Sequence, residues 1–203
     1  MSKTEEQKIF DCEWFCPADP TLKEKKMKAH KLGQRFSELR EDDPEREDIL
    51  REMLGSIGEG SFICRPAFFH YGVHTRIGKG TFINYNLVVQ DDNRVEIGDR
   101  CDFGPNVTIV TPTHPLRADE RQAMKAEDGT CKKLCLAKPV KIGNECWICA
   151  NVTILPGVTI GDRCVIAAGS VVTHDIPDDS LAMGVPCRVV RKITEEDRIQ
   201  KEN

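Results

Sequence analysis

The residue in this sequence best placed to do chemistry is His114, set in Thr111-Pro-Thr-His-Pro-Leu116 between polar residues and prolines, on no obvious apolar face. Imidazole is the side chain best matched to taking a proton near neutral pH. An ordinary surface histidine is the plain alternative. A second pattern is Cys131-x3-Cys135 followed by Cys146-x2-Cys149, which resembles four-thiolate zinc spacing. Cys146, however, sits two before Ile148, as Cys101 sits two before Phe103 and Cys164 two before Ile166. That is the slot for a small inward side chain, so these cysteines read as packed, reduced thiols rather than ligands. A third feature is the lysine-rich run from Lys23 to Lys31, either a phosphate-binding surface or, more simply, a solvated helix face.

The element that must position these groups is a repeat. From Ile142 to Val172, Ile or Val recurs at every sixth position: Ile142, Ile148, Ile154, Ile160, Ile166, Val172. The residue two before each later one is small, and Gly, Asn and Asp stand where corners fall. A short fixed period makes each unit one strand and one corner, stacked on its neighbours to bury a common core. Positive φ is tolerated at such corners by Gly and Asn. The pattern predicts a mainly β chain, a parallel β-helix of hexapeptide repeats.

The same period starts at Ile57 and restarts at Ile77 and Ile97. The step from Ile142 to Ile160 is 18, one triangular coil; Ile57 to Ile77 and Ile77 to Ile97 are 20, and Ile97 to Ile142 is 45, leaving 27 residues surplus. That surplus is an extruded loop of about 110–140, long enough to be functional or disordered. Ahead of the repeat, Thr21 to Leu39 has helical periodicity. Asp43-Pro44 reads as an N-cap with Pro at the first helical position of a second helix, ended by Gly55. Before Glu13 the sequence is polar and carries little signal. The chain thus divides into an N-terminal helical segment (1–56), the β-helix with its loop (57–190), and a C-terminal tail (191–203) with a helix capped at Thr194.

Composition bounds the function. With 203 residues, 39% hydrophobic, the chain can form one compact domain with a modest appendage. A net charge of −4 offers no general attraction to nucleic acid or an acidic membrane. No apolar run is long enough to span a bilayer, and the N-terminus lacks the apolar core of a secretory signal, so cytoplasmic residence is the expectation.

Several runs together resemble the maltose/galactoside O-acetyltransferase family of hexapeptide-repeat acyltransferases, from about Trp14 to Lys192. They include Phe82-Ile-Asn84-Tyr-Asn86, Val89-Gln-Asp-Asp92, Phe103-Gly-Pro-Asn106, Thr113-His114-Pro115-Leu116, Ile142-Gly-Asn-Glu-Cys-Trp147, Ala168-Gly-Ser-Val-Val-Thr173 and Gly184-Val-Pro-Cys-Arg188. The resemblance implies a left-handed winding, against the usual right-handed preference for crossovers. It implies transfer of acetyl from acetyl-CoA to a sugar hydroxyl by direct attack in a ternary complex, with no metal. On that resemblance His114 matches the catalytic base and the backbone N–H of Ala150 the oxyanion donor. Asn84 and Asp92 match acceptor-binding positions, and His70 stands where relatives carry a small polar or acidic residue. Ala168 and Thr173 match contacts to the coenzyme, and His174 stands where Lys is common. Trp147 offers an apolar wall, and Arg188 and Arg191 suit phosphate oxygens. The family's sites lie between subunits of a homotrimer. Three other readings stand beside this one: an acetyltransferase of another hydroxyl or an amine, a metal hydratase using His70, His74 and His114, and a non-catalytic scaffold.

Overall fold

The computed structural model describes residues 2–122, 124–125 and 131–199, with backbone alone at 124, 125, 131 and 132. The repeat winds into a parallel β-helix with three sheets as its faces. The first face stacks Ser56–Ile57, Thr75–Ile77, Val95–Ile97, Val140–Ile142 and Thr159–Ile160, with Ile57, Ile77, Ile97, Ile142 and Ile160 in register. The second stacks Phe62–Ile63, Phe82–Ile83, Asp102–Phe103, Trp147–Ile148 and Val165–Ile166. The third stacks Ala67–Phe69, Leu87–Gln90, Thr108–Val110, Thr153–Ile154 and Val171–Val172. Alternation within each short strand sends one aliphatic side chain inward per face, and Ile83, Ile148, Ile154, Ile160 and Ile166 are completely buried.

Corners hold their shape through side-chain ladders. Between the second and third faces, Asn86, Asn106 and Asn151 all take positive φ, and their amides hand hydrogen bonds along the stack at 3.0 and 3.1 Å. Asparagine suits this place because it tolerates the left-handed region and bonds its own copies. Inside, the thiols of Cys101, Cys146 and Cys164 donate to the carbonyls of Gly143, Gly161 and Pro177 on the following coil, at 3.0–3.1 Å. They are the packed inward thiols the repeat predicts.

The N-terminal segment closes one end of the helix. Helices α1 (Glu5–Phe10), α2 (Pro20–Glu38) and α3 (Glu45–Met53) precede the first coil. Phe36, Leu39, Ile49, Leu50 and Met53 extend the solenoid core. Helix α1 lies where the sequence shows little signal, and it is short enough to depend on its capping box, Thr4 with Gln7. Helix α3 starts one residue later than expected: Pro44 is the cap, and the Asp43 carboxylate accepts from the Glu45 N–H at 3.0 Å. At the other end, the expected C-terminal helix is a single 3-10 turn, Glu195–Asp197, within the described residues. Before it, Ser180–Gly184 adds a parallel strand beside Val165–Ile166, and Cys187–Lys192 folds back antiparallel over it. Chain folded back in this way covers the open edge of the second face.

The extra residues all fall at one place. Each regular coil takes six positions to pass from the third face back to the first, as from Ile154 to Ile160. Phe69 to Ile77 takes eight, Val89 to Ile97 takes eight, and Ile109 to Ile142 takes 33. Three successive coils therefore bulge at the same corner. The long insertion leaves and returns through an antiparallel pair, Pro112–Thr113 with Leu136–Ala137, and carries α4 (Ala118–Arg121) and a second pair, Met124–Lys125 with Cys131–Lys132.

Candidate active site

The bulged corner is cross-linked by buried polar groups. Asp91 accepts from the Tyr71 N–H at 2.7 Å and the Thr75 hydroxyl at 2.8 Å, tying the second coil to the first. Asn93 donates from its amide to the carbonyls of Ile9 at 2.6 Å and Ala137 at 3.0 Å, while its own N–H reaches the Thr111 hydroxyl at 3.0 Å. One asparagine thus joins the N-terminal helices, the second coil and the base of the long loop. His74 is buried, with Nδ1 3.0 and 2.9 Å from the carbonyls of Asp91 and Asp92 and Nε2 3.0 Å from Glu6.

The Asp92 carboxyl is set apart from this network. The residue is 3% exposed, and its Oδ2 is fully buried with no hydrogen-bond partner among the described residues. Burial, with the neighbouring Asp91 charge second, pushes its carboxyl up to about 7. That oxygen keeps the capacity to accept one more hydrogen bond. His70 lies at the same bulged corner, its ring 4.7 Å from that of Tyr71 and 5.8 Å from that of His30. Burial first, then Lys26, pulls His70 down to about 4, so it is neutral at physiological pH.

His114 follows the strand pair at the base of the long loop. Its Nδ1 stands 3.3 Å from the Leu134 carbonyl oxygen and 3.3 Å from Cys135 Sγ. The ring is exposed and lines a cleft of about 620 Å³ with Trp14, Leu116, Glu120, Leu134 and Leu136. Its place follows from the ladder, since Pro112 pairs with Ala137 and Thr113 with Leu136.

A second group of the expected residues lies elsewhere. Asn84, Ala150 and Ala168 occupy stacked corners between the second and third faces. The Ala150 N–H makes no backbone hydrogen bond among the described residues, and its carbonyl accepts from Gly169 at 2.9 Å. Gly104, one coil below, leaves room for that N–H: a Cβ there would come within 2.5 Å of it. Asn84 uses Oδ1 on the Tyr85 N–H at 2.8 Å. Trp147 projects from the second face and is 55% exposed. Thr173 and His174 return to the bulged corner, bonded to each other at 2.8 Å. Arg188 bonds the carbonyl of Cys187 through one nitrogen, whereas Arg191 is held by Asp197 at 2.7 and 2.8 Å.

The expected residues therefore form two sets on two corners of one chain. His70, Asp92, His114, Thr173 and His174 share one; Asn84, Ala150 and Ala168, with Trp147 beside them, share the other. One face of about six residues separates the corners, roughly 20 Å at strand rise.

The described residues hold no group of three or more His, Cys, Asp and Glu side chains able to grip a metal. His74 spends both ring nitrogens on Glu6 and backbone carbonyls, so the imidazole trio of a hydratase is not free to gather in this protomer. Of the four-thiolate pattern, Cys146 is locked inside the coil, and the Cys131 side chain lies outside the described residues. Trp14, Asn93 and Cys135 also build the site. Cys135 stood out in the sequence only as part of a zinc-like thiolate spacing, and Trp14 and Asn93 carry no periodicity or motif that marks a role, because their partners are distant in the chain.

Comparison with known proteins bears on both the coils and the helices. Residues 139–174 match the family described as Bacterial transferase hexapeptide (six repeats), and residues 13–58 match the Maltose acetyltransferase hexapeptide capping motif. A galactoside O-acetyltransferase of Escherichia coli is 39% identical over 178 residues, 87% of this chain and 83% of that protein. Among solved structures, a maltose O-acetyltransferase from Clostridium difficile superposes with a TM-score of 0.87 at 39% identity, covering 96% of this chain and all of that one. A galactoside acetyltransferase in complex with coenzyme A gives 0.88 at 36% identity, covering 99% and 98%. The winding is the left-handed β-helix.

Proposed function

This chain belongs to the maltose/galactoside O-acetyltransferase family, whose members are acetyl-CoA-dependent acyltransferases, and on that premise we propose that it moves acetyl from acetyl-CoA to a sugar hydroxyl, with His114 as general base. The observation that carries this reading is an imidazole held by its Nδ1 edge while its ring lines an open cleft. A sugar hydroxyl is a weak nucleophile at neutral pH, so its proton must leave as the oxygen attacks the thioester carbonyl. His114 takes that proton, and the bond from carbonyl carbon to coenzyme sulfur breaks. Negative charge gathers on the carbonyl oxygen in between, where the unused N–H of Ala150 is the donor. Asp92, through its free oxygen, Asn84, through its amide, and His70 hold the acceptor's other hydroxyls.

The coenzyme lies along the second corner. Trp147 supplies an apolar wall for its pantetheine arm, and Ala168 lets the arm pass close to the backbone. Thr173 and His174, on the bulged corner of the facing chain, offer it hydrogen bonds from the other side, and Arg188 and Arg191 meet the phosphates. Arg191 must exchange Asp197 for phosphate to do so.

The two corners are too far apart to work within one protomer, which supports a homotrimer in which one chain's His114 faces a neighbour's Ala150. Surface character supports the same arrangement. The first face presents Arg76, Glu96 and Lys141, whereas the other two present exposed Phe62, Phe82 and Trp147, and Phe68 and Val88. Apolar side chains in such number on two adjacent faces call for a cover. No helix of the described residues is long and apolar enough to cross a membrane. The cytoplasm, where acetyl-CoA is supplied, is the proposed location.

The test is coenzyme A release from acetyl-CoA against a panel of sugars, other alcohols and amines, for the native protein and His114→Ala. Loss of turnover by at least ~100-fold at unchanged assembly mass is expected. Undiminished turnover in the variant would dismiss His114 as the base, and no release with any acceptor would leave a scaffold.

A further inference from the structure

We propose that Cys135 is a positioning residue for His114, its thiol and the adjoining Leu134 carbonyl together holding the imidazole's Nδ1 edge so that Nε2 faces the cleft as the free base. The inference rests on the reading of His114 as the base. Cys135 is the middle rung of three short segments. On one edge its N–H and C=O both bond Phe15, at 3.0 and 2.9 Å. On the other, the pairs Pro112 with Ala137 and Thr113 with Leu136 lead next to His114 opposite Cys135. With its own backbone groups committed to Phe15, Cys135 has only its side chain to offer His114, and Sγ lies 3.3 Å from Nδ1. The neighbouring Leu134 carbonyl reaches the same nitrogen at the same distance.

Two protonation patterns are open to this cluster, and they differ in consequence. If the thiol donates to Nδ1, the ring proton sits on Nε2 and the edge facing the cleft is no base. If Nδ1–H points between the carbonyl and the sulfur, both act as acceptors and Nε2 keeps its lone pair. A carbonyl can only accept, so its presence selects the second pattern. When Nε2 then receives the acceptor's proton, the positive charge is met at Nδ1–H by the carbonyl dipole and the polarizable sulfur. The thiol is buried in a small apolar core with Ile9, Phe15, Leu22, Tyr71 and Ala137. That burial pushes it up to about 11, so it stays neutral and does not compete for the acceptor's proton. The ionisable groups around the pair are Asp92, Lys133, Cys16 and Tyr71 beside the thiol and Glu120 in the cleft. The N-terminal segment, through Phe15, is thereby part of the apparatus that aims the base.

The experiment compares Cys135→Ala and Cys135→Ser with the native protein by steady-state kinetics, pH–rate profile and the ¹⁵N shifts of His114, assigned by difference with His114→Ala. In Cys135→Ala, kcat is expected to fall about tenfold, a fraction of the ~100-fold that a misplaced reacting group can cost. KM for both substrates stays within about twofold, because the thiol touches neither. The limb of the profile that reports His114 moves, and its ¹⁵N shifts change from a single Nδ1–H form to a mixture. Cys135→Ser, which returns an acceptor at nearly the same place, restores most of kcat and the Nδ1–H form. Unchanged shifts and unchanged kcat in Cys135→Ala would overturn the proposal, as would a serine variant no better than alanine. The shifts are read whether or not the protein turns over. A fully active His114→Ala would therefore sink the functional reading while the tautomer still decided the role of Cys135.

Discussion

Asp92→Asn separates the two demands made on the buried acid: that it be kept dry and that it bind the acceptor. An ordinary carboxyl of this type titrates at 3.8, and this one is pushed up to about 7 by burial and by Asp91. The folded chain therefore holds this proton more tightly than the unfolded one. Between those two values the native state binds more protons, so its stability falls as pH rises through the window and is lowest above it. Each pKa unit is worth about 1.4 kcal/mol, which sets the whole penalty at no more than about 4 kcal/mol. Asparagine has nearly the same shape and no charge, so the variant escapes the penalty. Asp91 is present in both proteins, and its own titration cancels to first order. Thermal unfolding followed from pH 4 to pH 8 should show the two proteins converging at the acid end. At pH 8 the variant should be the more stable, by up to roughly 8–16 °C for a chain of this length. The same variant should bind the acceptor more weakly and acetyl-CoA unchanged, read as separate KM values. A stability gap that is flat across the range, or a variant less stable at pH 8, would refute the claim that Asp92 is an unpaired carboxyl held out of water.

Gly104→Ala places a Cβ 2.5 Å from the Ala150 N–H and 2.8 Å from the Cys149 carbonyl carbon, both backbone, so two coils must part. Turnover should drop more than coenzyme affinity does, measured by single-turnover kinetics beside calorimetric titration; equal losses would point to simple unfolding of the corner. Phe62→Asp with Phe82→Asp puts charge on a stacked aromatic pair, ring centroids 6.2 Å apart, on the face proposed to be covered. Sedimentation should show dissociation, accompanied by loss of turnover; an unchanged mass would remove that face from the interface.

Much of this protein is legible along the chain because the solenoid is a local construction. A six-residue period with an aliphatic side chain at each return states which residues face inward, and no distant partner is needed to decide it. The same arithmetic of 18, 20 and 45 exposes the surplus loop and brings His114 forward, and the inward slots of Cys101, Cys146 and Cys164 by themselves weaken a zinc reading. Short elements were harder to read. Helix α1 owes its existence to a capping box and the surface it packs on, and Cys187–Lys192 is strand because an open sheet edge is available to it.

What only the tertiary structure decided is where the surplus residues meet and which of the polar ones are dry. That the insertions at Tyr71, Asp91 and Thr111 stack on one corner depends on the coils being in register. Asn93 is satisfied by Ile9, 84 positions away, and His74 by Glu6, 68 positions away; neither pairing has any trace in local pattern. Asp92 and Asp91 are adjacent and chemically identical, yet one is fully bonded and the other keeps a free buried oxygen. Hydrophobic period is a property of neighbours in sequence, whereas desolvation and hydrogen-bond supply are properties of neighbours in space. The fold could therefore be read from the chain, and the working state of its polar groups could not.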